Sequence, residues 1–111
     1  MEEAIQVTVD YTSKSPVELI SIIDELNGSA SNVTKLSKAY ETLRLALNES
    51  ILHETIVKLL SKDIIPIIAK SFQINDPMLD YEILWALTNL TALLRPAEIE
   101  SLFSAKLETL Q

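Results

Sequence analysis

Four prolines divide this chain, and each stands where a helix has to begin or stop. Proline lacks an N–H and fixes its own φ, so a helix accepts it in the first turn and is broken by it farther in. Ser15-Pro16 sets a capping hydroxyl directly before proline, with Glu18 in the turn that follows. Asn75-Asp76-Pro77 repeats the arrangement with a carboxylate. Pro66 requires a helix that starts just before it, and Arg95-Pro96 closes the helix it follows.

Between these marks the apolar residues recur at helical spacing. Val17, Leu19, Ile20, Ile22, Ile23 and Leu26 form a first helix, ended by the chain's one glycine, Gly28, in the polar run Asn27 to Asn32. Leu36, Ala39, Tyr40, Leu43, Ala46 and Leu47 step by three and four along a second helix starting near Asn32, with Lys35, Lys38, Glu41 and Arg44 on its solvated face. Ile51, Leu52, Ile56, Val57, Leu59 and Leu60 make a third helix, interrupted at Ser61-Lys62-Asp63. Ile67, Ile68, Ala69 and Phe72 make a fourth, and the longest helix runs from Pro77 to about Leu94. Ala97 to Phe103 and Ala105 to Leu110 read as two short helical pieces, and residues 1–14, with β-prone Val7 to Thr12, as a loose arm. The expected fold is all-α, with a single domain over residues 15–111.

Composition narrows the function. With 111 residues, 48% of them hydrophobic and 23% charged, the chain has enough apolar matter for one core. Its longest apolar runs are far shorter than the roughly 20 residues that span a bilayer, and no membrane partner is expected. Met1-Glu2-Glu3 is no signal-peptide opening, and the absence of cysteine suits a reducing compartment, so the cytoplasm or nucleus is expected. A formal net charge of −7 repels nucleic acid at long range and makes a basic partner the more plausible one, although on charge alone such acidity need do no more than keep a chain in solution. No cofactor and no enzymatic activity are expected. His53 has only Glu54 beside it, pointing to another side of the helix, and no glycine-rich phosphate loop or serine with a base is present.

The helices also repeat. From Pro16 to Pro66 is 50 residues and from Asn32 to Asp76 is 44, close to the period of HEAT and armadillo repeats. Leu79-Asp80-Tyr81-Glu82-Ile83-Leu84-Trp85-Ala86-Leu87-Thr88-Asn89-Leu90 resembles the peptide-binding third helix of an importin-alpha armadillo repeat, above all in Trp85-Ala86-Leu87-Thr88-Asn89. Asp63-Ile64-Ile65-Pro66 is similar to the opening of that family's second helix, with Asp63 in place of the usual glycine, and Thr42 to Leu47 resembles an earlier third helix. The resemblance covers about residues 16 to 95. It implies an armadillo-type α-solenoid of about two and a half repeats, a nuclear-localisation-signal receptor in kind, binding basic peptide or protein cargo.

The resemblance implies a peptide-binding site at Trp85 and Asn89. Four residues apart, they share one helix face: an indole can stack on a lysine stem and attract its ammonium, and an amide can donate to and accept from an extended backbone. Ile83, Leu84 and Leu87 are expected to form the core-facing stripe. Residues 1 to 15 contain Lys14 as their one basic residue, so importin-beta binding is not expected. The alternative is a structural armadillo scaffold in which Trp85 is buried and the open repeat ends join copies into a homo-oligomer.

Overall fold

The structure is a computed structural model, and it describes residues 10–28 and 30–100. Five α-helices follow one another: α1 (Pro16–Leu26), α2 (Val33–Ala46), α3 (His53–Leu60), α4 (Ile64–Phe72) and α5 (Pro77–Leu93), with a short 3-10 turn at Ala30–Asn32 before α2. Residues 96–100 are also helical, and no strand occurs among the described residues. The chain is all-α, as expected. The helical reading of residues 101–110 and most of the arm lie outside the described residues. The described part of the arm is not loose: a turn from Tyr11 to Lys14 lays Tyr11 against the core.

The proline marks act as their chemistry dictates. Ser15 and Glu18 form a reciprocal capping box, Glu18 N–H donating to Ser15 Oγ (3.2 Å) and Ser15 N–H to Glu18 Oε1 (2.8 Å). Asp76 Oδ2 accepts from Leu79 N–H at 2.9 Å and so caps α5. Pro66 is the third residue of α4, where its missing N–H breaks no bond. Gly28 follows Asn27, the cap of α1, without adopting a positive φ; the left-handed residue is Asn75 (φ 62°), in the turn before α5.

Two expectations need correction. The third helix begins at His53, not at Ile51, because Asn48 organises a turn instead: its side chain donates to Leu45 O, and Ser50 N–H donates to its Oδ1. Leu84 is not in the core but outside it, more than half exposed, while Ala86 takes the inward position.

The core is built around α2. Leu36, Ala39, Tyr40 and Leu43 are buried there between Leu19, Ile20 and Ile23 of α1 and Leu79, Ile83, Ala86 and Leu90 of α5, with Ile56, Leu59, Ile64 and Ile68 closing it from α3 and α4. One polar chain crosses this apolar interior. Tyr40 O–H donates to Ser71 Oγ (2.8 Å), Ser71 O–H to Asn27 Oδ1 (2.6 Å), and Asn27 Nδ2 to Ile67 O (2.9 Å), so α1, α2 and α4 are joined with each group satisfied. Burial pushes the Tyr40 phenol up to about 12, against the hydrogen bond to Ser71.

Helices α2 and α5 run side by side in the same direction. Contacts advance in step along both: Arg44 meets Glu82, Trp85 and Asn89, and farther on Leu47 and Asn48 share a groove with Asn89, Ala92 and Leu93. That shared direction sets the surface on which Trp85 lies.

Candidate functional site

Helix α5 turns Leu79, Ile83, Ala86 and Leu90 inward, and the same helical period puts Met78, Tyr81, Leu84 and Trp85 outside. Trp85 is 39% exposed, with the Tyr81 ring one turn earlier at 5.4 Å between centroids and 76° between planes, an edge-to-face pair. Asn89, one turn later, is half-buried against α2. The two residues expected to bind peptide therefore share one edge of α5, as their spacing requires.

Both already have a partner, and it is the same residue. The guanidinium carbon of Arg44 lies 3.6 Å from the centroid of the Trp85 ring. Arg44 Nε donates to Glu82 Oε1 at 2.6 Å, with the two side chains only 13% and 18% exposed. Asn89 Nδ2 donates to the backbone carbonyl of Arg44 at 3.0 Å. The hydrogen bond to Glu82 holds the guanidinium still more firmly in its charged form, against partial desolvation, and the charges of Glu82 and Glu41 act in the same direction.

The contact to Asn89 has a local cause. The last carbonyls of a helix lack intrahelical donors. At the end of α2, Leu47 takes up φ −85° and ψ 78°, and Asn48 N–H bonds to Ala46 O in a tight inverse γ-turn instead of reaching back to Arg44. Asn89 supplies the missing donor across the helix pair and caps α2 from α5. One amide hydrogen is thereby occupied, and Asn89 also lines a groove of about 500 Å³ with Leu47, Asn48 and Glu49 on one wall and Ala92 and Leu93 on the other.

Arg44 and Glu82 are the members of this cluster to which the sequence assigns no site: a lone helix arginine reads as solvated or paired with a nearby acid, and Glu82 as an ordinary surface charge, and the two prove to be each other's partner. The repeat carried a usable signal: the long helices are offset by 44 residues, so positions about that far apart stack side by side, and Arg44 and Asn89 are such a pair. Tyr81 is 60% exposed, whereas Tyr40, placed by its spacing on the apolar face of the second helix, is fully buried.

Other chemistry is sparse. His53 Nε2 lies 3.4 Å from Glu98 Oε2, linking the start of α3 to the helical residues after Pro96. Among the described residues no group of three or more His, Asp or Glu stands close enough to hold a metal ion, and no helix is long and apolar enough to cross a membrane.

Compared with known proteins, the chain matches no family model, no curated protein and no solved structure.

Proposed function

We propose that this chain is a protein-binding module of the armadillo type, importin-alpha-like in kind, which receives an extended basic segment along the outward face of α5 beside α2. One observation carries the reading: α5 is apolar on both sides. It buries four side chains in the core and leaves Met78 (77%), Tyr81 (60%), Leu84 (55%) and Trp85 exposed. A helix that is apolar all round has more hydrophobic surface than its own core uses, and such a patch marks an interaction face.

Two further features support the partner's chemistry. The net charge of −7 favours a cationic partner over an anionic one. The stack of Arg44 on Trp85 is also an intramolecular instance of the contact that a basic side chain from outside would make. The parallel α2 and α5 are what stacked third helices of a solenoid would present. On this reading the chain works in the cytoplasm or nucleus. Affinity is low, because a cation–π contact contributes ~0.5 to 2 kcal/mol while a micromolar dissociation constant corresponds to about 8 kcal/mol.

A titration with a peptide rich in Lys and Arg, followed by NMR, tests this. Shifts should concentrate at Met78, Tyr81, Leu84 and the Trp85 indole and weaken with salt, and a peptide of the same length with Glu at the basic positions should produce none. Shifts confined to α3 and α4, or no shifts, would sink the reading. Shifts that follow the protein's own concentration instead would favour the self-associating scaffold.

A further inference from the structure

We infer that Arg44 is a plug in cis: its guanidinium fills the cation site formed by Trp85 and Glu82, so the site is closed to outside cations until Arg44 leaves. The inference rests on the basic-segment reading above and adds its regulation. Three contacts on two sides of one residue support it. The Trp85 ring faces the guanidinium at 3.6 Å, the Glu82 carboxylate takes its Nε–H at 2.6 Å, and Asn89 holds its carbonyl at 3.0 Å. The first two engage the cation. The third holds the backbone from which the cation extends, so Arg44 is presented to the site as a tethered ligand.

The site's shape also sets its selectivity. A planar guanidinium can stack flat on an indole while donating in its own plane to a carboxylate, which a tetrahedral ammonium cannot do. With Arg44 removed, Trp85 and Glu82 would form a receptor for arginine in preference to lysine. Asn89 would remain on the Arg44 backbone carbonyl, which any substitution at this position retains, so the frame of the site would survive the opening.

Removal of the plug is the test. Wild-type protein and Arg44→Ala, each shown folded by circular dichroism, are titrated with the capped tripeptides Ala-Arg-Ala and Ala-Lys-Ala, with emission of the sole tryptophan as readout. Arg44→Gln, which keeps part of the aliphatic stem and loses the cation, is the second variant should Arg44→Ala not fold. The plug predicts that either variant binds the arginine peptide about tenfold more tightly than wild type, and more tightly than the lysine peptide. Adding Glu82→Gln should abolish the gain. Equal affinities for wild type and variants would overturn the plug and leave the basic-segment reading standing. Absence of binding by the variants would do the same, provided the longer basic peptide still shifts Met78, Tyr81 and Leu84. Silence in both experiments would overturn both.

Discussion

Arg44 and Trp85 meet across the α2–α5 seam with the guanidinium carbon 3.6 Å from the ring centroid, so the exposed aromatic of α5 is held by a cation from the neighbouring helix. The pair joins the two helices as well as occupying the candidate site. A double-mutant cycle of Arg44→Ala and Trp85→Ala in urea unfolding should give a coupling of ~0.5 to 2 kcal/mol. A coupling indistinguishable from zero would show a stack without energy.

Asn89 caps α2 by donating, so its substitutions should separate by hydrogen-bonding ability. Asn89→Ala removes the donor and should cost ~1 kcal/mol. Asn89→Asp turns an acceptor toward the Arg44 carbonyl and should cost more than Asn89→Ala. Amide exchange at the end of α2 should rise in both variants; unchanged protection at Leu47 and Asn48 would argue against the cap.

The buried chain through Ser71 predicts an ordered series. Ser71→Ala leaves the Asn27 oxygen without its donor and the Tyr40 hydroxyl without its acceptor, and should cost ~1 to 3 kcal/mol. Tyr40→Phe removes only one bond and should cost less, about 1 kcal/mol. Thermal unfolding that ranks the two the other way would contradict the network.

Tyr40 also sets an alkaline limit. Its phenol is raised from 10.0 to about 12 in the folded state, so folding favours the protonated form. The stability tied to that proton is complete below pH 10 and is lost as pH climbs through about 12. Denaturant midpoints should fall across that window in wild type and more gently in Tyr40→Phe. Equal slopes would remove Tyr40 as the cause.

At the acid end, the capping box gives the opposite sign. The hydrogen bond from Ser15 N–H holds the Glu18 carboxyl below its ordinary value, so its contribution is present above the unfolded carboxylate range and fades as pH falls through the lowered one. Ser15→Ala should cost ~1 kcal/mol near neutrality. Ser15→Ala keeps the backbone N–H that meets Glu18, so the pH-dependent part is read in Glu18→Ala: its gap to wild type should narrow toward acid, and a constant gap would remove the Glu18 carboxylate as the cause.

By itself the sequence determined the helices and, at α1, α4 and α5, where they start; at α3 the turn made by Asn48 moved the start to His53. Ser15, Asp76 and the prolines act locally, through bonds to residues within one turn, and local chemistry can be read along the chain. It also placed Tyr40 inside and set Trp85 and Asn89 on one edge of α5, because a helical period relates residues on the same helix. It misplaced Leu84: an apolar residue on an apolar helix has no mark saying which side is inward, and only the packing of α5 on α2 chose Ala86 for that position. For Arg44 the sequence offered only the helix offset that sets it beside Asn89, and its stacking on Trp85 was decided by tertiary structure. Whether an arginine is solvated or stacked depends on what the neighbouring helix brings to it. Only the parallel docking of α2 and α5 put Glu82, Trp85 and Asn89 around one side chain.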